Sequence, residues 1–249
     1  MLYSGIVSIT LKEKSPAEVI ALSLKAGLCG IEWSENHHIK AGDLTAALDI
    51  KKKTEEAGLK VASYGSYFRA GTEESRDSFK KSLDTAAALG APAMRIWAWD
   101  KGSDIASLDD FKRTAETSSW AADLSAPMGI KIGFEWHRNT LTDTNEAAFK
   151  ILDMADNKNL FCLWQPTPEI PEPERTEGLR QLGKRLLNIH TYYWDDRVRR
   201  PLAEGKESWK GYLNAVDREE DHYLLMEFIM NDSIEQFLED AAVLNSWIN

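Results

Sequence analysis

Gly129-Ile-Lys-Ile-Gly-Phe-Glu-Trp-His137 reads as one unit with Thr144-Asn-Glu-Ala-Ala-Phe-Lys-Ile-Leu-Asp-Met-Ala155 and Leu160-Phe-Cys-Leu-Trp-Gln165. The outer segments are short apolar runs. The middle one puts Ala147, Ala148, Ile151, Leu152 and Ala155 on one helical stripe. Strand, helix and strand in that order make a βαβ unit, whose two strands run parallel.

Outward from this unit the alternation fills the chain eight times. Strands are expected over 2–9, 28–32, 60–64, 93–99, 130–137, 160–165, 187–191 and 223–229. Helices are expected over 15–26, 44–57, 75–89, 108–128, 144–155, 173–186 and 234–248, with a short one within 208–216. Ser15-Pro16 supplies an N-cap and first helical residue, and Gly27, Gly58, Gly90 and Gly129 supply stops. No Pro/Gly/Ser-rich linker divides the 249 residues, so the expected α/β architecture is a single-domain (β/α)8 TIM barrel over 1–249.

Composition narrows the partners. With 30 Lys+Arg against 40 Asp+Glu the net charge is -10, which leaves no broad basic footprint for nucleic acid. No apolar run is long enough to span a bilayer, and the start MLYSGIVSITLKEKS lacks the pattern of a secretory signal. A cytoplasmic protein with no membrane partner is expected, with a homo-oligomer left open. Cys29 and Cys162 lie in apolar runs without ligand spacing and read as small buried hydrophobes.

Barrels of this kind carry their chemistry at the C-terminal strand ends. Those ends read Glu32-Trp33, Tyr64, Trp97-Ala98-Trp99, Glu135-Trp136-His137, Trp164-Gln165, His190 through Trp194, and Glu227, which include six of the nine tryptophans. Aromatic faces cover the C–H faces of a sugar while polar neighbours take its hydroxyls. Substrate contacts are therefore expected from Glu32, Trp33, His38, Tyr64, Trp97, Trp99, His137, Gln165, Trp194 and Arg197. His37 shares the second loop with His38. Arg197, Arg199, Arg200 and Lys206 form the basic cluster nearest the mouth, available to an acid or phosphate group, although an uncharged sugar or polyol is the preferred ligand.

Strand alternation turns Lys131, Glu135 and His137 inward, with Asn188 and His190, Glu227, and Arg95. Buried charges need partners. One solution is an ion-pair network of Arg95 and Lys131 with Glu32, Glu135 and Glu227. The other is a divalent metal ion held by Glu135, His190 and Glu227, with Gln165 as a fourth ligand through its amide oxygen; such donors suit Mn²⁺, Mg²⁺, Co²⁺ or Zn²⁺.

The stretches GIEWSENHHIKAGDL, SYGSYFRAG, FEWHRNTLTDT, FCLWQPTP, NIHTYYW, RPLAEGKESWKGYL and LLMEF resemble the xylose isomerase-like TIM barrels, in the bacterial branch labelled sugar phosphate isomerase/epimerase. The resemblance covers essentially the whole chain. It implies one metal held by Glu, Asp, His and Glu on strands five to eight, positions that fall here on Glu135, Gln165, His190 and Glu227. Gln165 departs from the pattern by removing one charge, and Pro168 stands where the family's Asp-x-x-His motif ends. The implied activity is a sugar isomerase or epimerase that moves a proton next to a carbonyl through an enediolate, with Glu135 and Glu227 as the catalytic carboxylates. The alternatives are an inosose-type keto-polyol dehydratase and a sugar-binding barrel that has lost its metal.

Overall fold

The computed structural model describes residues 1–73 and 76–248. In chain order its elements are β1 (Leu2–Val7), α1 (Pro16–Lys25), β2 (Gly30–Ser34), α2 (Leu44–Glu56), β3 (Lys60–Ala70), α3 (Arg76–Leu89), β4 (Ala93–Ala98), α4 (Leu108–Ser125), β5 (Lys131–Glu135) and α5 (Asn145–Ala155). They continue with β6 (Leu160–Trp164), α6 (Glu172–Leu182), β7 (Leu186–Thr191), β8 (Tyr193–Asp195), β9 (Val198–Arg200), α7 (Lys206–Ala215), β10 (His222–Met226) and α8 (Ile234–Ile248). Eight parallel strands close in the order β1-β10-β7-β6-β5-β4-β3-β2, while β8 and β9 form an antiparallel hairpin in the seventh loop. The fold is thus a single-domain (β/α)8 barrel whose eighth barrel strand is β10.

Local chemistry sets the helix ends. Ser15 and Glu18 form a reciprocal capping box at α1, and Ser107 with Asp110 repeats it at α4. Gly129 ends the turn after α4 at φ 70°, a conformation that costs a residue with a Cβ more. The sixth helix stops at Leu182, short of the expected 186, because Gly183 turns to φ 47° and a short 3-10 turn follows. The helix expected from Ser75 has its start outside the described residues, and α3 is described from Arg76.

Two layers of core result. The larger packs the outward faces of the strands against the helices and includes Ile31, Ile96, Phe134 and Ile189. Inside the barrel, Val7, Ala62 and Leu225 form one small cluster, and Ala93, Leu163 and Leu187 another. A Cβ on Gly133 would stand 2.8 Å from Leu187 Cδ2, so Leu187 points inward where alternation placed Asn188. The cause is an extra residue in β7 between its pairings with Cys162 and Trp164. The displaced Asn188 uses its Oδ1 to accept the Tyr223 amide, and His190 still faces inward.

β3 runs to Ala70, well past the expected 64, with register shifts on both sides. Cys162 is buried as expected, but Cys29, just before β2 at the N-terminal opening, is exposed. Among the described residues no helix is long and apolar enough to cross a membrane.

Candidate active site

β2, β4, β5, β7 and β10 each bring one charged or imidazole side chain to the C-terminal mouth. His190 stands at the centre, fully buried, with Nε2 3.5 Å from Glu32 Oε2. Its Nδ1 is 3.5 Å from Glu135 Oε1 and 3.4 Å from Glu227 Oε2. Arg95 bridges the other sides of two of these carboxylates, bonding Glu135 Oε2 through Nη1 and lying 3.5 Å from Glu32 Oε1 through Nε. The Trp97 indole N–H also donates to Glu135 Oε2, and Gln165 Nε2 donates to Glu135 Oε1 at 3.2 Å and to the Trp136 carbonyl at 2.7 Å.

Sequence reasoning missed several supporting residues. Ser63 donates to Glu32, placed there by the register shift between Ile31 and Glu32. Gly65 leaves room for the ion pair, since a Cβ there would stand 2.8 Å from Glu32 Oε1 and 3.1 Å from Arg95 Nη2. The Tyr67 ring lies under the Arg95 guanidinium, 5.5 Å from centroid to Cζ. A signal for Tyr67 existed in the alternation Ser63, Gly65, Tyr67, but it is legible only once β3 is known to continue past 64.

Electrostatics follow from this crowding. Burial pushes the Glu135 carboxyl up, yet the Arg95 charge and His190 outweigh it and hold it well below the usual carboxylate range. Glu32 is lowered in the same way, with His190 and Arg95 overcoming burial. Burial pushes His190 down, but Glu32 and Glu227 win and raise it well above an ordinary imidazole. Tyr192, buried beside Glu227, is held firmly as the phenol.

The other expected contacts separate into two groups. Trp97 stays at the mouth, its ring between the Arg69 guanidinium at 3.9 Å and the His137 ring at 5.5 Å. Trp194 is half-buried against Tyr192 and Phe228, whereas Arg197, exposed on the hairpin, lies 3.7 Å from Glu169. Trp33, Trp136 and Trp164 are not at the mouth. They pack outward in the helix layer, Trp136 on Phe149 and Trp164 on Tyr212. Each adjoins an inward-facing residue (Glu32, Glu135, Gln165), and neighbours along a strand point to opposite faces. Tyr64 is likewise outward, its hydroxyl donated to the Ile39 carbonyl, and Trp99, at φ 68°, is buried in the larger core cluster. His38 fastens the second loop to the first, bonding Ser8 Oγ and the Lys14 carbonyl. Lys131 sits exposed at the far end of β5 over the Phe161 ring, outside the ion-pair network.

A divalent ion fits this donor set. One ligand atom each from Glu135, His190 and Glu227 lies within 4.8 Å of the others, and all three residues are buried. Glu227 Oε2, both His190 ring nitrogens and Gln165 Oε1 are buried without a hydrogen-bond partner, which is costly unless a ligand satisfies them.

A closed barrel with paired carboxylates and an imidazole at its C-terminal mouth defines a class of barrel enzymes. The xylose isomerase-like TIM barrel family matches residues 20–247, and the chain belongs to that family. Among solved structures it is similar to the probable 3-DHS dehydratase AsbF from Bacillus anthracis, at 17% identity and TM-score 0.80, covering 98% of this chain and 99% of that one. It is similar to D-allulose 3-epimerase from Methylomonas sp. at 16% and 0.73, covering 99% and 97%. A sugar phosphate isomerase/epimerase from Parabacteroides distasonis matches at 16% and 0.70, covering 98% and 96%. At these identities the likeness is one of fold. No curated protein sequence matches the chain.

Proposed function

We propose that this chain is a sugar isomerase or epimerase that moves a proton next to the carbonyl of a polyhydroxylated substrate, with one divalent ion held by Glu135, His190 and Glu227. The observation that carries this reading is the convergence of those three buried donors at the barrel mouth. Charge supports it: Glu32, Glu135 and Glu227 against Arg95 leave two net negative charges, which a divalent cation balances with His190 neutral. When bound, the ion supplies Lewis-acid polarisation of the carbonyl.

The chain's own residues do the rest. Glu227 opens onto a cavity at the mouth and takes the proton from carbon. Glu135, from a strand three places away in the ring, serves the other face, the two carboxylates alternating between acid and base. Glu32, 3.5 Å from His190 Nε2, stands on the opposite edge of the ring from Glu135 and Glu227, which flank Nδ1. Gln165, with Oε1 free, contributes an acceptor to the ion or to a hydroxyl.

Elimination of a β-hydroxyl shares the first proton transfer, so a dehydratase is separated from an epimerase by product analysis alone. The test is metal analysis of the purified protein together with a screen of ketoses, aldoses and inososes in D2O. The expected result is deuterium incorporation next to the carbonyl, dependent on the metal. A metal-free protein that exchanges no proton in any of them overturns the reading and leaves a sugar-binding barrel.

A further inference from the structure

Glu35, the first residue after β2, is a buried acid that belongs to no ion pair among the described residues. Its backbone N–H donates to the Gly65 carbonyl of β3 at 3.1 Å. Its carboxylate accepts from the buried Ser82 hydroxyl of α3 at 2.6 Å and from the backbone N–H of Tyr67. Burial pushes the carboxyl up, and these neutral donors pull against it. Because both partners donate, a carboxylate suits the place, whereas an amide would turn its own N–H groups toward one of them.

The Tyr67 amide lies in an irregular stretch of β3. From the Gly65–Arg95 pairing to the Arg69–Trp97 pairing, β3 takes four steps while β4 takes two. Extra residues of this kind leave the ladder, and their buried N–H groups need acceptors from outside it. Ser66 pins one side of the arch by donating its hydroxyl to the Arg95 carbonyl at 2.5 Å, and Glu35 holds the Tyr67 amide. The Tyr67 ring is thereby set edge-on to Trp97, with centroids 5.4 Å apart at 71°, and 5.5 Å from the Arg95 guanidinium. Arg95 and Trp97 are the two donors that hold Glu135 Oε2, and Oε1 then stands 3.5 Å from His190 Nδ1.

We propose that Glu35 is a positioning residue for Glu135: its carboxylate fixes the β3 arch, the arch fixes Tyr67, and Tyr67 steadies the Arg95 and Trp97 donors that orient the Glu135 carboxylate. The catalytic meaning of that orientation rests on the proposed function of Glu135. Glu35 itself touches neither substrate nor ion.

The indole N–H of Trp97 reports the link directly, because it bonds Glu135. The experiment records the ¹⁵N–¹H indole signals of the metal-free full chain, with Trp97 assigned by Trp97→Phe, and follows with a calorimetric Mn²⁺ titration. Glu35→Gln keeps the size of the side chain. It is expected to move the Trp97 signal while leaving that of Trp209, whose indole donates to the distant Tyr192 carbonyl, in place. Mn²⁺ affinity should fall about tenfold, the low end of what losing an outer partner of a ligand costs. Ser82→Ala, which leaves the Tyr67 amide bonded, should move both readings less. In a Tyr67→Ala background, adding Glu35→Gln should change neither reading further. An unmoved Trp97 signal in Glu35→Gln overturns the inference and leaves the proposed function standing. Equal movement of Trp97 and Trp209 overturns it as general loosening, and an undiminished effect in the Tyr67→Ala background overturns the route through Tyr67. Failure of the unsubstituted chain to bind Mn²⁺ removes the proposed function, while a Trp97 signal that follows Glu35 through Tyr67 still upholds the positioning of Glu135.

Discussion

Nδ1 of His190 and Oε2 of Glu227 lie 3.4 Å apart, both buried and too poorly aligned for a hydrogen bond. The pairing of Leu225 with His190 fixes this relationship, since it brings Glu227, two residues on, to the level of the imidazole. Two strong ligands held close but not bonded to each other are what a shared third partner requires.

Glu227→Gln keeps the shape and removes the base. Turnover, measured as proton exchange with solvent, should fall by about 10²- to 10⁴-fold, the usual contribution of a general base. The unfolding midpoint of the metal-free protein should fall less than in Arg95→Ala, because Glu227 forms no ion pair with the Arg95 that ties Glu32 to Glu135. Undiminished exchange would assign the base elsewhere.

Arg95 is the only cation other than His190 paired with the buried carboxylates among the described residues. Arg95→Ala leaves Glu32 and Glu135 uncompensated and should cost about 3–5 kcal/mol in urea unfolding of the metal-free protein. Part of that loss should return when a divalent ion is added.

Gln165 faces two acceptors, Glu135 Oε1 and the Trp136 carbonyl, with its amide nitrogen. Gln165→Asp replaces that donor with an acceptor, so the metal-free protein should lose about 1–3 kcal/mol of stability. Metal affinity should rise at the same time, since a charged donor is restored. Calorimetric titration alongside urea unfolding reads both changes in one variant.

His38 supplies the pH dependence. Burial lowers its pKa, and the neutral Nε2–H tautomer suits its contacts, with Nε2 donating to the Lys14 carbonyl and Nδ1 accepting from Ser8 Oγ. The unfolded chain therefore binds the extra proton first, and stability is lost as pH falls below the ordinary imidazole value of about 6.5. The difference in urea midpoint between the unsubstituted protein and His38→Gln should shrink from pH 8 to pH 5. A constant difference would show that His38 stays indifferent to protonation.

The barrel was legible because its signals are local: apolar period, capping Ser15, and Gly27, Gly58, Gly90 and Gly129, all at positive φ. Glu135, His190 and Glu227 were legible because a polar residue inside an apolar strand has one face to point to. Trp33, Trp136 and Trp164 were misplaced by reading strand ends as a ring and neglecting that each adjoins an inward residue. Leu187, Ser63 and Tyr67 owe their positions to register shifts in β7 and β3, which depend on neighbouring strands and leave no trace in the local pattern.

The metal claim stands or falls on a Mn²⁺ titration of the stripped protein and of Glu227→Ala, followed by calorimetry. One ion per chain in the unsubstituted protein, and none in the variant at the same concentrations, is the predicted result, because loss of one carboxylate from three leaves too little charge to offset dehydration of the ion. The same stoichiometry and affinity in both proteins would place the ion away from Glu135, His190 and Glu227 and contradict the account.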